Sequence, residues 1–121
     1  MAGRLVHFEV QAKDADRAQR FYETVFGMSF SSAMPGMDYR MTQTGENEGG
    51  AIYPSEEGDG HLIVYFDTDD IDASLEKVKG AGGQADEKQP IPHIGWFARC
   101  KDSEGNAFSL FQGDESVQMP G

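Results

Sequence analysis

An imidazole and a carboxylate stand out in the first alternating segment of the chain. In Val6-His7-Phe8-Glu9-Val10 the apolar residues fall on one side of an extended strand, and His7 and Glu9 fall on the other with Gln11. Two residues along a strand is about 7 Å, so the two groups are neighbours on one face. Imidazole titrates near neutrality and a carboxylate accepts protons. The pair therefore suits acid–base work or hydrogen bonding to a ligand. A packed core would bury Glu9 at considerable cost unless it were partnered, so a wet cavity is the more economical setting. The structural alternative is a polar network with Gln11, Arg99 or Tyr65.

A second alternating run, His61 to Asp67, places Ile63, Tyr65 and Asp67 on one face, with His61 at its start. A phenol and a carboxylate there can orient a polar ligand, which makes Tyr65 and Asp67 ligand-binding candidates. His93, between Pro92 and Ile94, is a loop histidine and a further ligand-binding candidate, as is Trp96, which follows it on the next strand. Met41 closes a group with Met28, Met34 and Met37 around a Pro35-Gly36 turn, where flexible thioethers suit an adaptable apolar pocket. Arg99 and Lys101 flank Cys100 in sequence and would lower a thiol pKa. No histidine is spaced to pair with Cys100, so it reads as a buried, inert thiol.

These side chains need elements to hold them. Leu5 to Gln11 reads as a half-buried strand. Asp14 caps a helix with an apolar stripe at Ala15, Ala18, Phe21, Tyr22, Val25 and Phe26, and Gly27 supplies its left-handed exit. Short strands follow near residues 28–31, 39–43 and 50–53. The pattern then restarts: a strand over 61–67, a helix capped by Asp69 or Asp70 with Ile71, Leu75, Val78 and Ala81 on one stripe, and strands near 84–86, 94–101 and 107–112. The two helical segments align at an offset of 56 residues, close to half the chain. The expectation is one α+β domain of two strand–helix–three-strand modules: module one about 1–54, a connector at 55–60, module two about 61–113 and a short tail at 114–121. The helices should cover the Val6/Phe8/Val10 and Leu62/Val64/Phe66 faces, leaving the opposite faces to line a trough.

Composition narrows the function. The 121 residues hold 10 basic and 21 acidic groups, a net charge of −11. A phosphate backbone is gripped through clustered Lys and Arg, so nucleic acid and anionic membranes are excluded as partners. The longest apolar run is Leu62 to Phe66, against the roughly 20 residues that span a bilayer. One cysteine allows no internal disulfide, and with no secretory pattern at the N-terminus the expected setting is cytoplasmic.

Val6-His7-Phe8-Glu9-Val10, the segment Asp16-Arg17-Ala18 through Phe21-Tyr22 to Val25-Phe26-Gly27, the stretch Asp70-Ile71-Asp72-Ala73 to Gly82-Gly83, and Asp102-Ser103-Glu104-Gly105-Asn106 leading to Phe108-Ser109-Leu110 together resemble the vicinal oxygen chelate superfamily, in its glyoxalase-like branch. Ser103 stands where the family's turn commonly has proline. The resemblance implies paired βαβββ modules forming a cupped mixed sheet, a homodimer and, in catalytic members, a divalent metal held by one residue from each of four strands. Those four positions fall on His7, on the region of Ala51 to Tyr53, on Ile63 and on Ser109, so one family donor of four is kept. About three protein donors are needed to hold an open metal site. No cofactor is therefore expected, and a divalent metal would have to use a shifted set of His7, Glu9 and His61. The leading expectation is a cup that binds a small organic molecule, with His7 and Glu9 as its acid–base pair. Two alternatives stand beside it: a metal-dependent lyase, isomerase or dioxygenase with an irregular ligand set, and a bleomycin-resistance-like protein that sequesters a cationic drug.

Overall fold

The structure is a computed structural model, and it describes residues 3–32, 35–55 and 61–118. Two compact units divide the chain. The first comprises Val6–Ile63; the second joins Met1–Leu5 to Val64–Gly121.

In the first unit, strand β1 (Leu5–Ala12) leads into helix α1 (Ala15–Phe26) and then β2 (Ser31–Ser32), β3 (Arg40–Gly45) and β4 (Glu48–Pro54). β1 lies parallel to β4, β4 antiparallel to β3, and β3 antiparallel to β2. The helix begins where the Asp14 side chain accepts the Arg17 N–H at 3.0 Å, and it ends at Gly27, whose φ of 69° is the left-handed exit. Arg40 ties β3 to this helix, its Nη1 lying 2.7 Å from Asp16 Oδ1 and donating to Gln19 Oε1 at 3.1 Å.

The second unit starts the same way but carries four strands after its helix rather than the expected three: β5 (His61–Asp67), helix α2 (Ile71–Gly80), β6 (Gln84–Ala85), β7 (Gln89–Ile91), β8 (Gly95–Lys101) and β9 (Ala107–Gly113). β5 is parallel to β9, β9 is antiparallel to β8, and both β6 and β7 pair with β8. Asp70, rather than Asp69, caps α2 by accepting the Ala73 N–H at 3.1 Å, and Gln112 Oε1 accepts the Ile71 N–H at 2.8 Å. Ile71 and Leu75 of α2 pack on Ala98, Cys100 and Leu110 to form this unit's core.

Two packing expectations need correction. On α1 only Ala15 is buried, with Ala18 and Tyr22 half-buried, whereas Phe21, Val25 and Phe26 are 56, 52 and 62% exposed. The apolar stripe is wider than the inward line Ala15, Ala18 and Tyr22: Phe21 sits about 90° and Val25 about 50° round the helix from it, while Phe26 is exposed at the helix's last residue. Leu62, expected under a helix, is 64% exposed at the start of its strand, and Phe66 further along the same face packs on the α2 core instead. Of the 55–60 connector only Ser55 lies among the described residues, and Met34 lies outside them.

Candidate functional site

Register assigns the faces of the first unit. His7, Glu9 and Gln11 of β1 stand beside Gly49, Ala51 and Tyr53 of β4, and β3 adds Gln43 beside Gly49 and Met41 beside Ala51. Side chains at paired positions project the same way. One face thus gathers His7, Glu9, Gln11, Tyr53, Met41 and Gln43, while Phe8, Val10 and Ile52 occupy the other.

Glu9 is buried, 4% exposed, and its Oε1 accepts a hydrogen bond from Gln11 Nε2 at 3.2 Å. His7 Nε2 shares a hydrogen bond with the Tyr39 hydroxyl at 2.8 Å, and the two rings stack with centroids 6.3 Å apart. Burial pushes the His7 imidazole below its ordinary value, with the Glu9 carboxylate acting in the opposite direction, so the ring is held neutral at pH 7. Tyr39 also lies 6.2 Å from Tyr53. His7 stands at the level of Gly49 and Tyr53 four residues further along β4, so the Tyr39 ring bridges the stretch that holds the buried Glu9 and Ala51. Neither Tyr39 nor Tyr53 is conspicuous in the sequence. The first precedes β3 in a loop, and the second sits at a strand end beside Pro54.

Met41 is half-buried and helps line an open depression of about 550 Å³ with Phe26, Met28, Ser31 and Gln43. His7 and Glu9 do not line it, so the depression borders the polar face rather than containing the titratable pair. His61 is exposed at the start of β5.

The other candidates are dispersed over the second unit. Tyr65 is buried beside Ser109, and Asp67 is half-buried beside Phe111, its backbone engaged by Gly3 and Arg4. Trp96 lies on the opposite side of that sheet, packed against the α2 core with the Lys88 ammonium 4.4 Å above its ring. His93 is exposed in a turn with φ of 65°, its N–H donating to the Val117 carbonyl at 2.8 Å. Cys100 is buried under α2, on the face opposite to Arg99 and Lys101. Burial first, and Asp86 second, push its thiol up to about 11, so sequence neighbours do not activate it.

A family-type metal centre does not fit these donors. Beside His7, β4 presents Gly49, where even a Cβ would lie 2.4 Å from the Thr42 carbonyl oxygen. That position admits no side chain, and the next offers Ala51. Ile63 and Ser109 supply no imidazole or carboxylate at the remaining positions. His7 is already bonded to Tyr39, and among the described residues no three His, Cys, Asp or Glu side chains gather closely enough to hold an ion, the set His7, Glu9 and His61 included.

Comparison with known proteins adds the following. Residues 4–110 match the family model for the Glyoxalase/Bleomycin resistance protein/Dioxygenase superfamily. A Mycobacterium tuberculosis protein provisionally named glyoxylase CFP32 is 38% identical over 115 residues, covering 91% of this chain, which spans 44% of that relative's length. Among solved structures, methylmalonyl-CoA epimerase from M. tuberculosis superposes with a TM-score of 0.67 at 14% identity, over 93% of this chain and 88% of that one. A homoprotocatechuate 2,3-dioxygenase variant from B. fuscum gives 0.73 at 17% identity, over 98% of this chain and 34% of that one. At these identities the structural likeness speaks to the fold alone.

Proposed function

The chain belongs to the glyoxalase, bleomycin resistance protein and dioxygenase superfamily, with its α+β fold, and on that premise we propose that it binds a small organic molecule on the polar face of its first unit. The observation that carries this reading is Glu9, a carboxylate kept 4% exposed on a face that also holds His7, Gln11 and Tyr39. Burying a carboxylate is costly, and an apolar residue would suit a merely structural strand better. A ligand bringing an O–H or N–H donor adds a contact to Glu9 beside the one from Gln11, and the Tyr39 and Tyr53 rings offer apolar surface on the same side.

The test is a ligand screen by NMR against a panel of small hydroxy acids, keto acids, phenols and amines. Binders should shift the amides of residues 7–11, 39–41 and 51–53, and Glu9→Gln should weaken them about tenfold, as expected for loss of a charge-assisted hydrogen bond. A panel in which no compound maps to those residues, or compounds that map there and bind Glu9→Gln unchanged, would overturn the reading.

A second reading is proton transfer on the bound molecule. It is favoured by a neutral imidazole and a carboxylate lying two residues apart on one face, a pair able to remove and return a proton without a metal. Solvent deuterium entering a bound carbon acid, and its loss in both His7→Gln and Glu9→Gln, separates catalysis from simple binding.

We further propose that the uncovered flank of α1 pairs with a second copy of the chain. Among the described residues no helix is long and apolar enough to cross a membrane. The single buried, protonated thiol of Cys100 suits a cytoplasmic setting.

A further inference from the structure

On the face of the second unit turned away from α2, three side chains form a row across adjacent strands. Register places Tyr65 of β5 beside Ser109 of β9, and Ser109 beside Arg99 of β8. Ser109 is 0% exposed, and its hydroxyl has no hydrogen-bond partner among the described residues. A buried hydroxyl without a partner destabilises the fold, and alanine in its place would remove that penalty. The serine is therefore a buried donor whose hydrogen bond remains open to a partner from outside the described residues.

Its cross-strand neighbour supplies the complementary charge. Arg99 is exposed, and no carboxylate of a described residue makes an ion pair with it. Asp86 follows β6 along the other edge of β8, but it meets Arg99 through the backbone, its N–H donating to the Arg99 carbonyl at 2.9 Å. Two residues along the same row of strands, Phe97 pairs with Phe111 and provides an apolar floor. Asp67 lies beside Phe111 at the far end of that floor, and Lys101 lies on the opposite side of Arg99.

We propose that this row binds the carboxylate of a small organic acid. The Arg99 guanidinium pairs with the carboxylate, the Ser109 hydroxyl donates to one of its oxygens, and the acid's apolar body lies over Phe97 and Phe111. A planar guanidinium fork matches a carboxylate, and an aromatic floor suits an organic tail rather than inorganic phosphate. Ser109 is 0% exposed in this conformation, so binding of the acid requires a neighbouring side chain to move. The inference rests on the second unit alone and is independent of the Glu9 reading.

Titration of the full chain with sodium benzoate, acetate and phosphate at constant ionic strength tests it, followed by melting temperature and by amide shifts. Benzoate is expected to raise the melting temperature and to give saturable shifts at residues 97–101 and 109–111, ahead of acetate and well ahead of phosphate. Ser109→Ala should weaken benzoate about tenfold and Arg99→Gln at least as much, the loss of one charge-assisted contact each. Lys101→Gln, which removes an equal charge, should stay within about twofold. Without any anion, Ser109→Ala should melt no lower than the parent chain. Absence of saturable benzoate binding, equal binding in Ser109→Ala, equal weakening by Lys101→Gln, phosphate bound as well as benzoate, or a lower melting temperature for anion-free Ser109→Ala would each overturn the proposal.

Discussion

His7 is neutral in the fold because burial opposes its charge, and that has a consequence for stability. In the unfolded chain the ring titrates near its ordinary value of about 6.5; in the folded chain its value lies lower. Between those two values the unfolded state binds a proton that the folded state does not, so stability rises with pH across that window. It is complete above the unfolded value and lost as pH falls toward the folded one. Urea unfolding of the parent chain should therefore weaken between about pH 7.5 and about pH 5.5, a range above most carboxylate titrations. His7→Gln should flatten that slope; parallel slopes for the two proteins would remove His7 as its source. His7 and Glu9 were legible because polar residues on the inner face of an apolar strand break a period of two. Tyr39 was not, since a loop residue gains its position only when β3 folds back on β4. Ser109 was legible only as the place where a family donor is missing, because nothing in a sequence reports whether a hydroxyl finds a partner.

At the scale of elements, Gly49 and Gly50 decide how closely β3, β4 and β1 approach. A Cβ on Gly49 would meet the Thr42 carbonyl oxygen at 2.4 Å, whereas one on Gly50 would meet the Phe8 ring at 2.3 Å. The distances are alike but the obstacles differ. A carbonyl in a paired strand is fixed by its ladder, while a half-buried ring can shift. Gly50→Ala should cost about 1–2 kcal/mol and Gly49→Ala about 3 kcal/mol, the upper part of the usual range for overpacking. Phe8→Leu should recover part of the loss in Gly50→Ala and none in Gly49→Ala, measured by denaturant unfolding. Equal costs, both relieved by Phe8→Leu, would contradict the β3–β4 register. Both helices were legible from their Asp caps and three-to-four spacing, and the longer strands from alternation. β7 was not: Pro90 sits at its centre, and proline argues against a strand until an edge position makes its missing N–H harmless. The glycine pair reads in sequence only as the start of a strand, because close backbone approach leaves no mark except the absence of a side chain.

For the whole molecule, net charge and the α1 flank pull in opposite directions. Phe21, Val25 and Phe26 are each more than half exposed, and the Tyr22 ring stacks on Phe26 at 6.1 Å, so the flank is an aromatic ridge rather than scattered apolar residues. The sequence shows the full stripe but not the width of sheet beneath it, which is why all six positions read as inward. A second copy laid against this ridge buries apolar surface, yet each copy brings a charge of −11. Repulsion between two such chains acts over a Debye length of about 10 Å at 0.1 M salt and about 3 Å at 1 M. Pairing through the ridge should therefore tighten as salt rises, the reverse of an interface held by ion pairs. Sedimentation velocity is expected to show a monomer–dimer equilibrium that moves toward dimer between about 0.05 and about 0.5 M NaCl, with Val25→Glu or Phe26→Glu returning the chain to monomer while its circular dichroism stays unchanged. A chain that remains monomeric at high salt, or a dimer indifferent to both substitutions, would take the second copy off this face.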